Sequence, residues 1–159
     1  MEQPVETLKT VLRSYAVAIA KAIEADEVLG AYKNLSVVVE DKANIQTTIN
    51  AAISKATGGV AVMVAVTGFH RRPKSGRVLT GTIDFQISVH ENPLFNRKGQ
   101  FVLTAQCVAE RLAVALHWVK LPGFDNRLLF DDIQRADDNS ANIEVVTFHA
   151  EQNLNGEIE

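Results

Sequence analysis

The order of hydrophobic patterns between Leu35 and Ala150 predicts an α+β domain of the ferredoxin-like, split βαβ kind, β-α-β-β-α-β, behind a long N-terminal helix. Three observations carry that prediction. Continuous β-branched runs and period-two alternation mark strands, and apolar residues three and four apart mark helices. Their order is strand, helix, strand, strand, helix, strand. Gly58-Gly59, Asn92-Pro93 and Leu121-Pro122-Gly123 punctuate them where chain breaks are needed. The expected product is a four-stranded sheet with both crossover helices on one face, as right-handed crossovers require. The opposite sheet face is left for the first helix or for another subunit, and a three-layer arrangement with the first helix behind the sheet is the structural alternative.

The first helix is expected from about Val5 to Leu29, where Leu8, Leu12, Tyr15, Ile19, Ala22 and Ile23 recur at helical spacing and Gly30 offers a stop. Ala16-Val17-Ala18-Ile19-Ala20 is apolar on more than one side, so this helix is covered by its own domain or waits in part for a neighbouring subunit. Leu35 to Glu40 carries three consecutive valines, which places that strand in the middle of the sheet. Asp41 or Asn44 caps the next helix, whose stripe is Ile45, Ile49, Ala52, Ile53 and Ala56 before Gly58-Gly59 ends it.

Val60 to Phe69 reads as a strand. Another runs from about Val78 to Glu91, with Ile83, Phe85, Ile87 and Val89 on one side and Asp84, Gln86, Ser88 and His90 on the other. Asn92-Pro93 breaks it, because proline cannot donate to a ladder. A helix over roughly Phe101 to Val119 carries Ala105, Val108, Ala109, Leu112, Ala115 and Leu116 inward, with Glu110 and Arg111 outward. The final strand, Asn142 to Ala150, seats either Ile143, Val145 and Thr147 or Val146, Phe148 and Ala150 on the core.

Composition sets the outer limits. A chain of 159 residues with 47% hydrophobic and 22% charged content suits one domain, 1–151, followed by a flexible acidic tail, 152–159. Such a chain buries about 70% of its unfolded surface, so it needs no metal or disulfide to fold. The single Cys107 lies in a helical pattern, reads as a small buried hydrophobe, and fits a reducing compartment. A net charge of −3 provides no global attraction to nucleic acid or anionic membrane. The start Met1-Glu2-Gln3-Pro4 does not resemble a secretory signal, and Val60 to Val66, the most apolar segment, is far short of the roughly 20 residues a membrane helix needs.

Chemical motifs are few. His70, His90, His117 and His149 show no zinc-type spacing, the serines sit in no nucleophile elbow, and Gly58-Gly59 closes a helix rather than opening one. No catalytic residue, metal site or cofactor is therefore expected. Asp131-Asp132 and Asp137-Asp138, with Arg127 and Arg135 among them, read as a solvated connection before the last strand. Trp118 reads as a core or edge anchor. The one concentrated feature is the segment Gly68 to Arg77, a hairpin carrying His70, Arg71, Arg72, Lys74 and Arg77. These are the candidate binding residues. They suit phosphate backbones without sequence readout, or an acidic patch on a neighbouring subunit, or simply a solvated loop that discourages edge pairing.

The stretch Ile87-Ser88-Val89-His90-Glu91-Asn92-Pro93-Leu94-Phe95-Asn96-Arg97, the following helix, Leu121-Pro122-Gly123 and the closing Phe148-His149-Ala150-Glu151 resemble small tail proteins of bacteriophages and prophages, the tail-terminator and minor tail protein group. That resemblance implies a structural role in virion assembly and no enzyme activity. Copies associate into a ring that terminates or completes the tail tube and joins it to the head connector. The implied partners are further copies of the chain, tail-tube and head-connector proteins, and, through the basic hairpin, non-specific DNA. The implied location is the virion tail, assembled in the bacterial host cytoplasm, without a membrane. A heterologous ring needs two different patches on each subunit, and the first helix, the open sheet face and the hairpin are the candidates. The competing expectation is a small nucleic-acid-binding module using a ferredoxin-like sheet, which would need exposed aromatics on neighbouring strands. Phe85 shares its face with Ile83, Ile87 and Val89 instead.

Overall fold

The computed structural model describes residues 11–31, 35–40, 60–73, 76–91, 104–136 and 142–154. In chain order these form α1 (Val11–Ala25), a 3₁₀ turn (Leu29–Ala31), β1 (Leu35–Val39), β2 (Val60–Arg71), β3 (Thr80–Glu91), α2 (Ala105–Leu116), β4 (Leu129–Arg135) and β5 (Asn142–Asn153). The strands make one five-stranded sheet in the order β1-β2-β3-β5-β4. β1 runs parallel to β2, and every other neighbouring pair is antiparallel.

This sheet overturns the four-stranded split βαβ arrangement. A split βαβ unit needs another strand between its two parallel strands, whereas β1 and β2 lie side by side, Leu35 opposite Val60 through Val39 opposite Val64. The three-valine strand therefore sits at an edge, half-buried throughout, and not in the middle. The fifth strand, β4, occupies the segment read as a solvated connection. Its core-facing residues, Phe130 and Ile133, are three apart instead of two, because a register shift between Phe130 and Asp132 inserts one residue. That bulge erased the period-two signal and set Asp131 and Asp132 in succession.

The core lies between one face of the sheet and both helices. Val62 pairs with Val89, Val64 with Ile87 and Ile87 with Val146, while Phe85 pairs with Phe148 and Ile83 with Ala150. Cross-strand partners share a face, so these side chains form one apolar surface. Against it pack Tyr15, Ala16, Ile19, Ala20 and Ile23 of α1 and Val108, Ala109, Leu112 and Leu116 of α2. The first helix thus lies on the same side as α2, not behind the sheet. Burying each of the larger side chains contributes about 1.5–3 kcal/mol. Phe124, in the loop after α2, joins the layers, with its ring 5.1 Å from Tyr15 and 5.8 Å from Phe85.

Of the alternatives for the last strand, Val146, Phe148 and Ala150 face the core. β5 continues to Asn153, and Gln152 is only 1% exposed. The long first helix is likewise corrected. The described helix ends at Ala25, where the Asp26 carboxylate takes the Leu29 N–H at 3.0 Å and turns the chain. α2 begins after Thr104, whose hydroxyl accepts the Cys107 N–H at 3.1 Å. Cys107 itself is exposed, contrary to expectation, because it lies on the outer side of that first turn. The expected helix after Asp41, and residues before Val11, lie outside the described residues.

Candidate functional site

The basic hairpin is the tip joining β2 and β3, each 12 residues long. Arg72 N–H donates to the Thr80 carbonyl at 2.7 Å, and Gly76 turns the chain with φ of 63°. Gly81 has no room for a Cβ, which would strike the His70 carbonyl oxygen and lie 2.9 Å from Arg71 Cα. His70, Arg71, Arg72 and Arg77 are exposed at this end of the sheet, and Lys74 lies outside the described residues. The fold brings them together but does not leave them bare. Arg71 reaches back to the Gly76 carbonyl at 3.3 Å, Arg72 pairs with Glu151 of β5, and His70 Nε2 stands 2.7 Å from Asp84 Oδ2. Exposed pairs of this kind contribute about 0–1 kcal/mol, so an external anion can replace Glu151 at little cost.

The sheet face away from the helices is polar at this end. His70, Asp84, His149 and Asp131 follow one another across β2, β3, β5 and β4, with Asp84 directly opposite His149 and His149 Nδ1 2.7 Å from Asp131 Oδ1. Asp132 accepts from Thr147 Oγ1 at 2.6 Å and from Gln134 Nε2 at 3.1 Å. Further along, Ala61, Met63, Ser88 and His90 are buried, with His90 Nε2 and Ser88 Oγ 3.0 Å apart. All four histidines are thus hydrogen-bonded, the fourth being His117, whose Nδ1 accepts the Phe130 N–H at 3.1 Å. Among the described residues, no group of three or more His, Cys, Asp or Glu is placed to hold a metal ion. The sheet phenylalanines Phe69, Phe85, Phe130 and Phe148 all pack on the core side, which leaves no aromatic stacking platform on the polar face among the described residues.

The loop between α2 and β4 is a second built surface, which sequence reasoning did not find. Trp118 is 58% exposed and has φ of 67°, a left-handed conformation that costs a bulky residue about 1–2 kcal/mol. Both of its peptide groups are held: its N–H donates to the Leu128 carbonyl at 2.7 Å, and its carbonyl accepts from Arg127 NH1 at 2.8 Å. The Arg127 guanidinium lies over the indole, 5.4 Å from the ring centroid. Beneath, Gln152 Oε1 accepts the Asp125 N–H at 2.7 Å, and Asp125 Oδ2 accepts the Asn153 N–H at 3.0 Å. The only sequence signal was the Leu121-Pro122-Gly123 stop. It does not say which way the preceding tryptophan points.

Electrostatics tie this region to α1. The hydrogen bond from Arg111 holds the Asp26 carboxyl below the usual carboxylate range, against the opposing effect of burial, and raises the Arg111 guanidinium in turn. Along α1 runs a largely apolar groove of 640 Å³, lined by Val17, Ala18, Ala22, Ala25 and Pro122 together with Arg13, Ser14 and Lys21. No helix among the described residues is long and apolar enough to cross a membrane.

No protein-family model matches this chain, and no curated protein matches it in sequence. Among solved structures, a chain of the "virion of native gene transfer agent (GTA) particle" is similar in fold. It has a TM-score of 0.58 and 16% sequence identity, over 91% of this chain and 99% of that one. At that identity the likeness is one of architecture, and it extends over nearly the whole length of both chains.

Proposed function

We propose that this protein is a structural component of a phage-like virion whose copies assemble into a ring that terminates or completes the tail tube and meets the head connector. The observation that carries the reading is the near end-to-end fold match to a chain of a gene transfer agent virion. The surface features agree with it. A heterologous ring needs two dissimilar patches per subunit, and the chain offers an exposed tryptophan, an apolar groove on α1 and a basic strand end. In this reading the hairpin residues His70, Arg71, Arg72, Lys74 and Arg77 meet either the tail tube or the passing DNA, and the protein works in the virion tail after assembly in the host cytoplasm.

The test is absolute mass by light scattering across a concentration series, with images of any large species. A discrete closed ring, several times the 17.4 kDa chain mass, is the expected result. A strict monomer that also fails to bind purified tail tubes would overturn the reading.

A further inference from the structure

We infer that Trp118 is the anchor of a contact between copies of this chain, and that its indole enters the α1 groove of the next copy. The inference rests on the self-assembly proposed above and names the surfaces that would perform it. An apolar side chain left in water costs free energy, and a left-handed backbone costs more. Here both are present in one residue, and the loop around it is fixed by hydrogen bonds in which Arg127 donates and the Leu128 carbonyl and Gln152 Oε1 accept. Outliers maintained by their surroundings in this way mark sites where geometry serves a contact. A second exposed apolar side chain, Val114 at 72%, lies four residues earlier in the chain.

The occupant follows from the chain's own complement. The lining of the α1 groove combines apolar side chains that suit the ring with two cations, Arg13 and Lys21, that match the negative face of an indole. Aromatic anchors seated in well-packed, desolvated pockets carry much of the binding energy at protein interfaces. Because knob and groove are different surfaces, the contact is head-to-tail. Such contacts continue from copy to copy until they close.

Trp118 is the only tryptophan, so its emission reads the contact directly. In a concentration series of the full chain, emission should shift to the blue and become less quenchable by acrylamide as mass rises. Trp118→Ala should weaken self-association by about 30-fold or more. Val17→Glu with Ala25→Glu sets carboxylates against the indole face and should do the same while leaving thermal unfolding near that of the parent. The deciding experiment mixes the two defective chains. Only the groove variant carries a tryptophan, and only the Trp118→Ala chain carries an intact groove, so the mixture should recover the blue shift and stop at a dimer. A mixture with unshifted emission overturns the inference. So does a Trp118→Ala chain that assembles like the parent, which would leave the ring reading in place with its contact elsewhere. A parent chain whose mass and emission both stay constant up to the highest concentration shows that the occupant is not a second copy.

Discussion

Arg111 of α2 grips Asp26, the residue that follows α1, through two hydrogen bonds, Nε to Oδ2 at 3.0 Å and NH2 to Oδ1 at 2.8 Å. The pair spans 85 residues of sequence and locks the end of the first helix to the middle of the second. Its fork geometry makes it more directional than a single-point contact. Because Asp26 also accepts the Leu29 N–H, the same carboxylate shapes the turn that brings Leu29 into the core.

That relationship fixes the sign of an acid effect. The folded pKa of Asp26 lies below its unfolded value of about 3.9. The contribution is therefore fully present above the unfolded value and is lost as pH falls through the lower folded one. Asp26→Asn should lower the urea midpoint at pH 7. The difference from the parent should shrink steadily below about pH 4, and a difference independent of pH would contradict the assignment.

Phe124 closes the contact between α1, the loop and β3, meeting Tyr15 edge-on and Phe85 at a tilt while itself only 4% exposed. Phe124→Ala should cost about 3–5 kcal/mol, the range for an emptied aromatic core site. Thr104→Ala, which removes only the α2 cap, should cost about 1 kcal/mol. Chemical unfolding of both variants orders the two effects.

At most helix and strand positions alanine is more stable than glycine. At Trp118 the order should invert, because the backbone is left-handed there. Trp118→Gly should exceed Trp118→Ala in stability by about 1 kcal/mol in unfolding measurements. Equal stabilities would mean that the turn relaxes once the ring is gone.

Gly81 is a steric requirement. A methyl group there meets the β2 backbone at His70 and Arg71. Gly81→Ala should destabilise the β2–β3 end of the sheet and raise amide exchange at Arg72, whose N–H bonds to Thr80.

The hairpin cations make a separate claim. Changing Arg71, Arg72, Lys74 and Arg77 together to serine should leave unfolding within about 1 kcal/mol, since the contacts of Arg71 and Arg72 are exposed. It should reduce tail completion or partner binding in a salt-dependent manner. Normal particles from this variant would remove the loop from the functional account.

Local pattern was enough for β2, β3, α2 and β5, because β2 is a continuous valine-rich run and the others present a periodic apolar face to the core. Ile83, Phe85, Ile87 and Val89 announced β3, and Val108 and Leu112 announced α2. The basic hairpin was also legible, since a run of cations needs no folding to be seen. β4 was not, because its bulge put two acids in a row and broke the alternation at the point where a strand would show it. The orientation of Trp118 was hidden for a related reason: the contacts that hold it come from Arg127 and Leu128, which its neighbouring residues do not reveal.

The sequence by itself determined that β2, β3, α2 and β5 would form and which face of β3 would be dry, because those follow from side-chain pattern and transfer out of water. Only the tertiary structure decided how the strands are ordered, that three valines stand at an edge, and that α1 shares a face with α2. Strand order depends on pairings between distant residues, Leu35 with Val60 or Ile87 with Val146, whose energies are nearly the same for any apolar partner. What selects among them is how well the whole set packs at once.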